Sequence, residues 1–166
     1  MTVKKALITG ITGMVGSHLC DYLFDNTDWD IYGLVRWRSS LENIERHLHL
    51  INLKKRIFIQ YGDLQDSESI IKIIKSTKPD YIFHLAAQSF PKTSFDSPIN
   101  TFDININGTT RLLDAIKNYS PNAIVHVCSS SEVFGRVDKS RLPIKEEENF
   151  HPASPYAISK AGTDLV

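Results

Sequence analysis

The chain has 166 residues, a length that fits one folding unit and is large enough to bury a real core. Lysine plus arginine and aspartate plus glutamate each number 19, so the formal charge is zero and bulk electrostatics favour neither nucleic acid nor an anionic membrane surface. Any charged ligand must be held locally.

The amino terminus, MTVKKALITG, has two lysines, but its apolar stretch is too short for a signal sequence, and no run approaches a membrane span. Cys20 and Cys128 lie in apolar surroundings, which suits buried thiols better than a disulfide or a metal pair. A soluble cytoplasmic protein without a membrane or nucleic-acid partner is the expectation.

Short apolar runs then alternate with longer segments of helical spacing, the rhythm of repeated βαβ units on a parallel sheet. KKALITG, ending at Gly10, predicts strand one, and a helix is expected over 14–24. DIYGLVR to Arg36 predicts strand two and is followed by a helix over 40–49; RIFIQYG to Gly62 predicts strand three, with a helix over 66–77. DYIFHLA to Ala86 predicts strand four. The next helix, over 98–118, has Ser97 as cap and Pro98 in its first turn, with Ile99, Phe102, Ile106, Leu113 and Ile116 as its buried stripe. AIVHVCS to Ser129 predicts strand five. From Arg136 to Ala153 periodicity is lost, and Pro143, Pro152 and the solvated run KEEE at 145–148 predict a long surface loop.

Gly10, Gly13 and Gly16 in GITGMVG follow strand one and open the first helix. Glycine here lets amide hydrogens and the helix amino end face a pyrophosphate that side chains would hold away. An ordinary strand-to-helix turn is the alternative, but strand before and helix after are the context that a dinucleotide fingerprint requires. The predicted fold class is therefore α/β, a Rossmann-like doubly wound parallel sheet.

At the end of strand two, where an NAD site places a carboxylate against the ribose, stands Arg36, with Arg38 and Ser39 behind it in VRWRSS. Two guanidinium groups and a hydroxyl can hold a 2′-phosphate that a carboxylate would repel, so NADP is expected over NAD; the alternative is a pair of solvated arginines. Asp63, followed by Leu64 in YGDL, either reaches the adenine or caps a turn. Ala86 and Ala87 in HLAAQS leave room for a dinucleotide. The histidines suggest no metal set: His84 and His126 lie inside apolar strands, His47 and His49 point apart on a helix, and His18 reads as packing.

SPYAISK makes Ser154 a cap and Pro155 the first residue of a helix, with Tyr156 in its first turn and Lys160 one turn on along the same face. Tyrosine ordinarily titrates near pH 10. An adjoining ammonium, an oxidised nicotinamide and the helix amino end all favour phenolate, which would make Tyr156 a proton acceptor. A chance pair on an exposed helix is the alternative. Glu132, in SSSEVFG after strand five, is either a solvated loop charge or a base.

The glycine triplet, Asp63, LAA at 85–87, Asn105 before GTTRLLDA, the serine-rich end of strand five and the Tyr156 to Lys160 spacing together resemble the extended short-chain dehydrogenase/reductases that act on nucleotide sugars. VRWRSS, LAAQS, SSSEVFG and the stretch around HPASPY are most similar to the GDP-mannose 4,6-dehydratase branch of that family. The resemblance implies that Ser130 hydrogen-bonds the sugar 4-hydroxyl, Tyr156 takes its proton, Lys160 holds the nicotinamide ribose and Glu132 acts at carbon 5. It implies a tightly held NADP, a nucleotide-sugar substrate that is GDP-linked, a 4-keto-6-deoxy product, and homodimers or higher homo-oligomers built through the fourth and fifth helices.

Phe90, Pro91 and Ala153 depart from that branch, and YAISK resembles reductases and epimerases, so a 4-reductase or 4-epimerase stays open beside the dehydratase. A non-catalytic dinucleotide-binding module is the alternative of another class. Because the later strands and the sugar-binding lobe of the family are absent, residues 1–166 are expected to be the NADP-binding, amino-terminal part of a longer enzyme, with little or no turnover alone.

Overall fold

The computed structural model describes residues 3–166. Its strands are β1 (Lys5–Thr9), β2 (Asp30–Val35), β3 (Ile57–Tyr61), β4 (Tyr81–His84) and β5 (Ile124–Val127), all five where the apolar runs place them. They pair in parallel in the order β3-β2-β1-β4-β5. The strand order reverses beside β1, as in doubly wound sheets, so the carboxyl ends of β1 and β4 flank the switch point where such folds bind ligands.

The chain divides into two compact units: residues 1–86 with 111–128, and residues 87–110 with 129–166. The first holds the whole sheet and its apolar core. Ala6, Ile8, Ile31 and Ile57 are fully buried in it, joined by Ile11, Cys20 and Ile44. Burial of each isoleucine contributes roughly 1.5–3 kcal/mol. Burial also pushes the Cys20 thiol up to about 12, so it behaves as a small hydrophobe.

Two helices of this unit follow the predicted periodicity. In α1 (Met14–Asn26), Gly16, Ser17, Cys20 and Leu23 are buried. In α3 (Ser67–Thr77), Ile70, Ile73, Ile74 and Thr77 form an i, i+3, i+4, i+7 stripe, and the Asp66 side chain caps the amino end by accepting from Glu68 N. The helix expected over 40–49 is instead a 3-10 turn, Glu42–His47, followed by the short α2 (Leu48–Asn52). Ile44 breaks helical geometry (φ −117, ψ 15), and the break lets its side chain enter the core completely.

In the second unit, the sequence pattern gives no sign of α4 (Pro91–Asp96), which is too short to show a period. The helix expected over 98–118 is α5 (Pro98–Phe102), a π turn (Asp103–Asn107) and α6 (Gly108–Tyr119), the last crossing the division at 110/111. The predicted stripe is out of phase. Ile99 is 81% exposed, while Thr101, Asn105, Thr109, Leu112 and Ala115 are buried alongside Ile116. A π turn rotates the helical face beyond it, and polar residues that bond internally can occupy the buried side. The last helix is α7 (Pro155–Leu165). Residues 136–153 form the expected irregular loop, with one 3-10 turn at Lys139–Arg141; Glu148 of the acidic run is not simply solvated but pairs with Arg141.

Candidate active site

β1 ends at Thr9, and Gly10 turns the chain with φ +73, a conformation L side chains rarely adopt. A Cβ there would also lie 3.0 Å from Ala86 N and 3.1 Å from Ala86 Cα. Thr9 fixes this close approach: its Oγ1 accepts from the amides of Leu85 (3.1 Å) and Ala86 (3.0 Å) and lies 2.8 Å from His84 Nδ1. With both lone pairs engaged, the hydroxyl hydrogen is assigned to Nδ1, which leaves the imidazole proton on Nε2. Gly16 seats α1 on the same turn, since a Cβ there would come 2.3 Å from Gly10 O.

Gly13 is the exposed amino cap of α1 and supplies no side-chain bond. The first-turn amides of that helix are therefore left without a side-chain cap, the arrangement in which a helix terminus receives an anion. Past β2, Arg36 and Arg38 are exposed, and neither guanidinium has a protein partner among the described residues; Ser39 N closes a turn on Arg36 O at 2.9 Å.

Asn43 Nδ2 ties the far side of that loop to Thr12 O of the glycine turn at 2.8 Å. Arg46 and His47 both bond Asp21 of α1, His47 at 2.6 Å. The Arg46 guanidinium, with help from His47, holds the Asp21 carboxyl below the usual carboxylate range. His18, expected as packing, has a side chain 77% exposed, 3.9 Å from Asp21. Asp63 Oδ1 accepts from Gln65 N at 3.0 Å in the turn after β3. Leu64 is a core side chain (4% exposed), and its carbonyl accepts from Arg111 at 3.3 Å. His84 is buried as its strand predicts, but His126 is exposed on the edge strand β5, where alternate side chains face out.

The second unit contains Ala87, Ser130, Glu132, Tyr156 and Lys160. Ser130 caps a 3-10 turn, Ser131–Phe134, its Oγ accepting from Glu132 N at 3.2 Å, and the Glu132 side chain is left exposed. That turn packs against α7. It closes on the loop before α7 as well: His151 N donates to Val133 O at 2.9 Å, and Phe134 meets Phe150 edge-on at 5.8 Å. Gly135, at φ +61, admits no side chain, because a Cβ would lie 2.0 Å from His151 O.

Within α7, Tyr156 is partly exposed, whereas Lys160 is 6% exposed and is the one buried lysine among the described residues. Lysine is almost never buried without a task or a partner. The helix is held by polar bonds. Asn105 Nδ2 donates to Ser159 Oγ (2.8 Å) and to Gln88 O (3.0 Å), its Oδ1 accepts from Gln88 N (2.8 Å), and its carbonyl accepts from Thr163 Oγ1 (3.3 Å). Ser94 Oγ accepts from Tyr156 N at 3.0 Å. Neither Ser94, Ser159 nor Asn43 stood out in the sequence.

A parallel sheet with a glycine turn at its switch point, and a serine, tyrosine and lysine carried on one turn and one helix, defines a chain of the extended short-chain dehydrogenase/reductase type, the NAD(P)-dependent epimerase/dehydratases. Residues 7–166 match the family described as GDP-mannose 4,6 dehydratase, and the chain belongs to that family. It is 42% identical over 164 residues to a GDP-mannose 4,6 dehydratase of Drosophila melanogaster (95% of this chain, 40% of that one). It is 41% identical over 162 residues to the Homo sapiens protein of the same name (93% and 42%). Among solved structures it is similar to a UDP-N-acetylglucosamine 4-epimerase from Methanobrevibacter ruminantium at TM-score 0.81 and 34% identity (99% of this chain, 49% of that one). It is also similar to a UDP-glucose 4-epimerase from Thermotoga maritima at 0.82 and 28% (97% and 49%). The chain thus spans about two fifths of the length of the curated relatives it matches.

Proposed function

We propose that residues 1–166 serve as the NADP-binding domain, and carry the proton-handling groups, of a nucleotide-sugar 4,6-dehydratase acting on a GDP-mannose-like substrate. The observation that carries this reading is the family match over 7–166, which takes in Ser130, Glu132, Tyr156 and Lys160 together.

The residues suit a phosphorylated dinucleotide. The uncapped start of α1 and the glycines offer amide donors to a pyrophosphate, Arg36, Arg38 and Ser39 offer charge-assisted bonds to a 2′-phosphate, and Asp63, Leu64, Ala86 and Ala87 border the same cofactor. When bound, the dinucleotide supplies a hydride acceptor for carbon 4 of the sugar and a hydride donor for carbon 6. Ser130 hydrogen-bonds the sugar 4-oxygen while Tyr156 takes the proton of that hydroxyl. Lys160 holds the ribose beside the nicotinamide. Once carbon 4 is a ketone its neighbour is acidified, and the Glu132 carboxylate removes the carbon 5 proton and passes it to the carbon 6 hydroxyl, which leaves as water.

A 4-epimerase is the second reading, favoured by the solved 4-epimerases that the fold resembles. Incubating the protein in its longest natural form with GDP-mannose in deuterated water separates the two. Dehydration places deuterium at carbon 5 of a 4-keto product; a 4-hydroxyl epimer without carbon 5 deuterium rejects the dehydratase reading. Exposed Ile99, Ile158 and Leu165 (81%, 45% and 78%) suit coverage by a second copy, in keeping with the proposed homo-oligomer.

A further inference from the structure

The amino end of α7 admits a complete account of its backbone donors. Pro155 has no N–H. The Ala157 amide is taken by Ser154 Oγ at 3.0 Å, and the Ile158 amide by Ser154 O at 2.8 Å, the first bond of the helix. Between them, the Tyr156 amide is taken by a residue from another helix, Ser94 of α4, at 3.0 Å.

Ser94 is completely buried, and its hydroxyl hydrogen is committed to Pro91 O at 2.6 Å. That donation leaves the oxygen lone pairs to accept from Tyr156 N, so the serine acts as a second amino cap delivered from 62 positions earlier in the chain. Ser154 satisfies the helix; Ser94 fixes the one residue whose side chain carries the proton.

We propose that Ser94 is a positioning residue for Tyr156, a role that rests on the reading of Tyr156 as the proton acceptor. Two side-chain torsions separate the phenol from its backbone, so an error in the first helical turn is carried outward to the hydroxyl. Misplacement of a reacting group by about 1 Å can cost roughly 10²-fold in rate. Alanine at 94 suits the helix and removes the hydroxyl alone, deleting both the acceptor for Tyr156 N and the donor to Pro91 O.

The test uses the protein in its longest natural form. In Ser94→Ala, amide hydrogen exchange at Tyr156 is expected to accelerate about tenfold or more, with the β1 and β4 amides unchanged. Turnover of GDP-mannose should fall roughly 10–10²-fold in kcat at unchanged KM and unchanged NADP affinity, and Ser94→Thr, which retains the hydroxyl, should recover it. Unaltered exchange at Tyr156, or a kcat within about twofold of the parent while Tyr156→Phe is inactive, overturns the proposal. Full turnover by Tyr156→Phe removes the proton-acceptor reading and this role with it. That outcome is told apart from a failure of Ser94 itself because the exchange measurement needs no substrate.

Discussion

The two compact units are stabilised by different means. The first buries isoleucines and leucines around a parallel sheet; the second buries Ser94, Thr101, Asn105, Ser159 and Thr163, whose polar groups bond one another or nearby backbone. Apolar packing is non-directional and tolerates small errors, whereas a hydrogen bond fixes distance and angle. The unit with Tyr156, Glu132 and Lys160 is the one held by directional bonds, which suits the proposed role of these groups, since that role would require placement within a fraction of an ångström.

Five substitutions or conditions sharpen or break this contrast, in descending order of effect. Tyr156→Phe should lower kcat by about 10²–10⁴-fold in steady-state assays of the longest natural form, with little change in its urea midpoint. A large loss of stability would instead make the hydroxyl structural. Ile8→Ala, in the apolar unit, should destabilise by about 3 kcal/mol in denaturant titrations. Asn105→Ala, in the polar unit, should cost about 2 kcal/mol by stranding the Gln88 amide, and unlike Ile8→Ala it should also depress turnover by moving α7. If both substitutions cost stability alone, the contrast fails.

Replacing Arg36 and Arg38 together by alanine should weaken NADP by about tenfold or more while leaving NAD nearly unchanged, as read by calorimetry. Equal losses would reject the 2′-phosphate assignment. The smallest effect concerns pH. Because Arg46 and His47 hold the Asp21 carboxyl below its usual range, their bonds contribute fully above the unfolded value of about 3.9 and are lost as pH falls through the lower folded value. Asp21→Asn should therefore be less stable than the parent at neutral pH and converge with it in acid; parallel urea midpoints across that range would exclude the linkage.

The apolar unit was largely legible in the sequence, because its strands are continuous runs of β-branched and aromatic residues and α3 repeats isoleucine at helical spacing. Gly10 was legible too, since its positive φ and its approach to Ala86 both demand the absence of a side chain. The polar unit was read less well. Hydrophobic periodicity assigns Ile99 to the inside and Asn105 to no face at all, yet burial is the reverse, because internal hydrogen bonds rather than transfer from water decide which side of that helix is covered. The break at Ile44 escaped for a related reason: a single core contact outweighed the local helical preference of residues 40–49.

The order of the strands bears on how this chain is made. Thr9 of β1 pairs with His84, 75 positions later, so during synthesis the central strand leaves the ribosome long before its second neighbour exists. At about 5–20 residues per second, one edge of β1 stays bare for roughly 4–15 s. Translation speed over residues 10–84 thus sets how long an adhesive segment waits, and slowing codons there should raise aggregation of the nascent chain without altering the finished fold.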